Sequence, residues 1–122
     1  MSLTSRYQAS ASVMLDAPAV QDADWNGATF DSRPYKGGLC FIWISAGHGS
    51  STVDAKLQDS PNGSSWTDVT DGAFTQGTTA ETAYHLTVSS ANVDRYLRIV
   101  YDHTGAGNIA MASSVMAQVT GA

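Results

Sequence analysis

The stretch Lys56–Thr75, KLQDSPNGSSWTDVTDGAFT, decides the fold. It combines a Pro-Asn-Gly turn, a serine pair, a tryptophan and several aspartates, so it reads as an active-site loop, a calcium loop or a tight bend between strands. An EF-hand loop needs oxygen ligands at alternate positions and a glycine at the sixth. Counted from Asp59, the third residue is Pro61 and the sixth is Ser64, so that pattern fails; a looser site built from Asp59, Asn62, Asp68 and Asp71 stays open. Asn62-Gly63 can supply the positive φ that a two-strand bend requires. Trp66 is expected to pack over that bend, which makes the stretch a β-hairpin.

Period-two alternation extends outward from the hairpin. TVDAKLQ sets Val53, Ala55 and Leu57 on one face and Thr52, Asp54, Lys56 and Gln58 on the other, which predicts a half-buried strand. AYHLTV sets Tyr84, Leu86 and Val88 against His85 and Thr87. RYLRIVYD sets Leu97, Ile99 and Tyr101 against Tyr96, Arg98, Val100 and Asp102. LCFIWIS is apolar on both faces, which predicts a central strand covered on both sides, with Cys40 as a small buried hydrophobe. NIAMASSVMAQV would suit a helix by composition. The TGAGN before it reads as a hairpin turn, so a strand is expected, with Ile109, Met111, Ser113, Val115, Ala117 and Val119 sharing a face.

Breaks rich in Gly, Pro, Asn and Asp separate these segments: DWNG, RPYKGG, AGHGS, SPNG, TDG, QGTT and TGAGN. Short alternating segments with such spacing predict an all-β, antiparallel β-sandwich in a single domain. Local alternation does not encode pairing order, so a jelly roll is equally open. Residues 13–122 form this domain, and residues 1–12, small and polar, are expected to be an extended N-terminal arm.

Charge excludes some partners. The net charge is −5, and the six basic residues (Arg6, Arg33, Lys36, Lys56, Arg95, Arg98) form no run, which argues against nucleic acid. Leu39–Ile44 is too short to span a bilayer, and MSLTSRYQAS lacks an apolar signal core, so no membrane partner and synthesis in a cytoplasm are expected. One cysteine allows no intramolecular disulfide. Only 14% of residues are charged, well below the roughly 25% of ordinary soluble domains, as suits a surface packed against other proteins.

Catalytic and ligand motifs fare poorly. AGHGSS around His48 is not the G-x-S-x-G elbow of a hydrolase. His48, His85 and His103 lie on three segments with no i,i+4 pair, so only folding could gather them around zinc. Glu81 is the sole glutamate, and most aspartates fall in turns, where their side chains bond the local backbone. Gly105–Gly107 lacks the lysine and helix of a phosphate loop. Trp25 and Trp66 lie beside turns and could stack on a sugar, whereas Trp43 reads as core. No catalytic residue, metal or cofactor is expected, and the chain is not expected to be an enzyme.

From about Val53 to Val119 the order of segments resembles small structural proteins of tailed bacteriophages. The matching residues are Leu57, Gln58, Ser60, Asn62, Gly63, Ser64, Trp66, Asp68 and Val69, then Arg95, Tyr96, Leu97 and Arg98. The resemblance is greatest to capsid decoration, or cement, proteins. It implies a non-enzymatic partner of the major capsid protein on the outer surface of the virion, self-associated as a homotrimer, with no cofactor. It also directs attention to Arg6 and Tyr7 in the arm, and to Arg33, Tyr35 and Lys36 in the loop FDSRPYKGG, as partner-binding residues. Another virion component, in the tail or at the head-tail junction, and a carbohydrate-binding sandwich are the competing readings.

Overall fold

The computed structural model describes residues 10–47, 51–77, 82–105 and 107–119. Its strands are β1 (Ser10–Gln21), β2 (Trp25–Asn26), β3 (Phe30–Asp31), β4 (Tyr35–Gly47), β5 (Thr52–Ser60), β6 (Thr67–Ala73), β7 (Thr82–Ser89), β8 (Tyr96–Thr104) and β9 (Ile109–Val119). One 3₁₀ turn, Ser90–Asn92, is the only helical element among the described residues.

The strands form two antiparallel sheets. One has the order β1-β9-β4-β7; the other runs β2-β8-β5-β6, with β3 also paired to β8. β2 and β3 lie on the same strand of the ladder, interrupted at residues 27–29. Of the remaining connections, only β5–β6 stays within a sheet; the others cross between sheets. That order is a jelly roll.

The hairpin at Lys56–Thr75 is real: β5 and β6 pair antiparallel, with Asp59 opposite Thr67. Gly63 has φ of 78°, but Asn62 does not share the left-handed conformation. Asn62 acts through its side chain, whose Oδ1 accepts from the backbone N–H groups of Ser64 at 2.8 Å and Ser65 at 2.9 Å. Ser60 Oγ completes the bend by accepting from Gly63 N–H at 2.8 Å.

Each alternating strand puts its apolar set inside. Val53, Ala55 and Leu57 face Leu97, Ile99 and Tyr101 within one sheet, and meet Leu39, Phe41, Trp43, Val115 and Ile109 of the other across the core. Trp43 sits at the centre, stacked on Tyr84 at 4.6 Å and edge-on to Phe74 and Tyr101 at 6.5 and 5.7 Å. Gly77 lies against the Trp43 ring, where a Cβ would come within 2.5 Å of Cη2.

Two expectations need correction. TGAGN is not a hairpin turn, because β8 and β9 belong to different sheets; Ile109, Met111 and Val115 are buried by crossing to the opposite layer. The connection through AGHGS likewise joins strands of different sheets, β4 and β5, and its His48 lies outside the described residues. β4 is central within its sheet but covered on one face only. Leu39, Phe41 and Trp43 point into the core, while Ile44 is 50% exposed and Cys40 half-buried on the outer side. Of the expected arm, residues 1–9 lie outside the described residues, and Ser10–Ser12 already pair with β9.

A buried carboxylate joins the two layers. Asp16, at a bulge in β1, accepts from Ala28 N–H (2.7 Å), Tyr101 Oη–H (3.0 Å) and Ser113 Oγ–H (2.6 Å). Burial, and then the neighbouring Asp16 carboxylate, push the Tyr101 phenol well above its ordinary pKa, so it stays a neutral donor. Gly27 allows this approach: a Cβ there would sit 2.6 Å from Ile99 O and 2.7 Å from an Asp16 oxygen.

Candidate docking face

The sandwich has two unlike outer faces. On the β1-β9-β4-β7 sheet, strand register places outward residues in rows. One row is Ser12, Met116, Cys40 and Thr87; the next is Met14, Ser114, Ile42 and His85. Ala112, Ile44 and Ala83 form a third, and Val20 and Ala110 extend it. None of these is Asp, Glu, Lys or Arg. Met14 (66% exposed), Val20 (62%), Ile44 (50%) and Met116 (49%) all lie here, and they are the large hydrophobic side chains most open to water among the described residues. A shallow groove of about 440 Å³ runs between Met14, Pro18, Ile42, Ile44, Ala112 and Ser114. Strand spacing and rise give the whole patch an area of roughly 400–500 Å². That is the size of the largest apolar patch on a typical monomer, a class that is often functional.

The other outer face is charged and internally bonded. Asp68 takes Lys56 Nζ at 2.9 Å and Gln58 Nε2 at 3.0 Å, and these two bonds hold its carboxyl below the usual range. Arg98 donates twice to Gln58 Oε1, at 3.0 and 2.8 Å, and lies 4.3 Å over the Trp66 ring. At the far end Asp102 stands beside Asp24 and Asp54; the Asp24 hydrogen bond and charge raise its pKa. Apart from this acidic cluster, the face pairs its own charged groups and is suited to water.

The residues singled out for partner binding are spread unevenly. Arg6 and Tyr7 lie outside the described residues. FDSRPYKGG is only partly a loop: Phe30 and Asp31 pair with β8, Arg33 and Pro34 turn, and Tyr35 opens β4. Tyr35 stacks on Phe30 at 5.2 Å and is half-buried, so it packs against the core cluster. Arg33 is exposed, with a loose 3.9 Å ion pair to Asp31. Lys36 is exposed nearby. Asp31 is held instead by Arg95 through bonds of 3.1 and 2.9 Å, which lower its pKa.

The three tryptophans do not make one platform. Trp43 is core; Trp25 stacks on the inward-facing Tyr101 at 5.2 Å; Trp66 lies outside, under Arg98. His85 is on the outer face of one sheet, and His103 is in the other sheet with Nε2 2.9 Å from Gly107 O. Among the described residues no three His, Cys, Asp or Glu side chains cluster as metal ligands. The exposed outer face was not anticipated because LCFIWIS reads alike whether one face or two are covered. The available signal was the pairing of its even positions with Met14, Ala112, Ser114 and Met116, which only the sheet order supplies.

The architecture defines a jelly-roll β-sandwich, and solved structures share it. No protein-family model matches the sequence, and no curated protein matches it significantly. A CBM4 structure is similar at TM-score 0.51 and 14% identity, covering 86% of this chain and 77% of that one. The SPBc2 prophage-derived protein YomS is similar at TM-score 0.50 and 14% identity, covering 89% and 94%. A chain of Broad Bean Stain Virus is similar at TM-score 0.51 and 13% identity, covering 93% and 92%. At such identities the likeness is one of fold, shared by viral, phage and carbohydrate-binding proteins.

Proposed function

We propose that this chain is a capsid decoration protein of a tailed bacteriophage. In this reading it docks on the outer surface of the mature head through the uncharged β1-β9-β4-β7 face, bridging major capsid protein subunits. It works without catalysis or cofactor, associates as a homotrimer and is made in the bacterial cytoplasm. The observation that carries the reading is the contrast between the faces: one is a charged, largely self-bonded surface, the other an uncharged sheet face, rich in exposed Met, Val and Ile, that no described residue covers. The phage-like hairpin and the Arg95–Arg98 segment support it from the sequence side.

Area decides how such a face is used. About 450 Å² on each partner gives roughly 900 Å² in total, below the ~1,200–2,000 Å² of a stable pairwise complex. One contact is therefore weak, and repetition over a symmetric lattice makes it tight. A protein that binds only the expanded shell stabilises that form by linkage. Arg33, in the turn before β4, and Lys36, at its start, would form part of the polar rim. Carbohydrate binding, suggested by the CBM4 fold likeness, is less well supported, because Trp25 and Trp66 are already engaged by Tyr101 and Arg98.

The test is stoichiometric binding of purified protein to expanded, undecorated shells. Wild-type protein should saturate the shells, while Ile44→Asp and Met14→Asp should fold normally and fail to bind. Failure to bind any shell form, or full binding by both variants, would sink the reading. Glycan binding lost on Trp66→Ala would favour the carbohydrate alternative.

A further inference from the structure

The sandwich is open along one side. β6 ends one sheet and β7 ends the other, and among the described residues neither has a strand on its outer edge. Between them lies a cleft of about 550 Å³. Half-buried Val69, Val88 and Val93, packed against the core, line it together with Asp59, Asp68 and Asp71. Asp71 holds a left-handed backbone with φ of 57°. Unpaired strand edges beside an apolar floor are the geometry that accepts an added strand.

The sequence holds a segment with the matching chemistry. Residues 1–9, MSLTSRYQA, alternate with period two: Leu3, Tyr7 and Ala9 share one face, and Thr4, Arg6 and Gln8 the other. Arg6 is their only charged side chain, opposite in sign to Asp71 of the cleft; Asp68 is already paired with Lys56, and Asp59 already accepts from Asp94 N–H. We propose that residues 1–9 of one copy dock as an added strand in the β6–β7 cleft of a neighbouring copy.

Reach selects a neighbour over the same chain. Ser10 is level with Lys36 through Gln118, while Gly38 pairs with Ser89, so Ser10 lies at the end of the sheet that carries Ser89. It does so on the wrong edge: β1 and β7 are three strand steps apart, about 14 Å. Tyr7 and Arg6 precede Ser10 by three and four residues, or about 10 and 14 Å fully extended. An added strand would lie one step beyond β7, about 19 Å from β1, so crossing to its own cleft would consume about six of the nine residues. Docking between copies has no such limit. It is a head-to-tail contact, which closes into a ring when the rotation between copies permits.

The inference does not depend on what the apolar face binds, and its test needs no shell. A mixture of isotope-labelled and unlabelled full-length chain reports contacts between copies by NMR. The Tyr7 ring of one copy should show NOEs to Val69, Val88 and Val93 methyls of another. By sedimentation, Tyr7→Ala should weaken self-association about thirtyfold, as loss of an aromatic anchor does. Arg6→Glu should weaken it about fivefold. A monomer at all concentrations, Tyr7 contacts confined within one copy, or unchanged association in Tyr7→Ala would each overturn the proposal.

Discussion

Replacing Asp16 with alanine should be among the most damaging single changes in the chain. The carboxylate is 3% exposed and accepts three hydrogen bonds, from Ala28 N–H, Tyr101 Oη–H and Ser113 Oγ–H. Leaving a buried donor unsatisfied costs about 1–3 kcal/mol. The two hydroxyls, of buried Tyr101 and Ser113, carry most of that cost, while the part-buried Ala28 N–H loses a fixed partner. The expected loss is therefore about 3–5 kcal/mol, a large part of the roughly 5–15 kcal/mol that holds a domain together. Asp16→Asn keeps one oxygen for Ala28 N–H and its amide can donate to the hydroxyls, so about 1–2 kcal/mol is expected. The assay is urea unfolding followed by tryptophan fluorescence, with equal slopes required before midpoints are compared. An Asp16→Ala cost under about 1 kcal/mol, or equal costs for the two variants, would falsify the view that this acceptor ties the layers together.

Other outcomes follow from the same geometry. Gly77→Ala should cost about 1–3 kcal/mol, because its Cβ would lie 2.5 Å from Trp43 Cη2 and a packed ring must shift; thermal unfolding measures it. Stability should fall as pH rises above about 10, the ordinary tyrosine value. The folded-state pKa of Tyr101 is raised, so its contribution is complete below the unfolded value and lost above it. Tyr101→Phe should flatten that alkaline limb in a pH series of urea midpoints. Asp102→Asn should stabilise the protein at neutral pH, since Asp24 beside it disfavours the charged form. The gain should vanish below about pH 4, where carboxylates take up protons; equal gains at pH 7 and pH 3 would contradict it.

The strands were legible because alternation in TVDAKLQ, AYHLTV and RYLRIVYD reports one buried face directly, and the observed burial follows it residue by residue. The hairpin was legible because Asn62 and Gly63 carry turn chemistry within a few residues. Long-range order was not. TGAGN has the composition of a hairpin turn, yet it carries the chain from one sheet to the other. Nothing local distinguishes these, since both need a tight reversal of polar residues. Asp16 was hidden for a related reason: aspartate in a strand-like stretch looks solvent-facing until Tyr101 and Ser113, 85 and 97 residues away, are brought to it. Cys40 and Ile42 were read as buried because an apolar strand in water is costly, and that cost is the ground on which the face is proposed as a place for a partner.

One further property follows from the pairing of the first and last strands. Ser10 lies opposite Gln118, so the two ends of the described chain leave the sandwich side by side. A force that draws those ends apart would open the β1–β9 ladder one rung at a time, with little mechanical resistance. A load entering across the broad β1-β9-β4-β7 face would instead be shared by many rungs at once. If this molecule braces a pressurised container, its toughness depends on where it is gripped, and a tether fused at Ser10 or Gln118 would pull on its weakest seam.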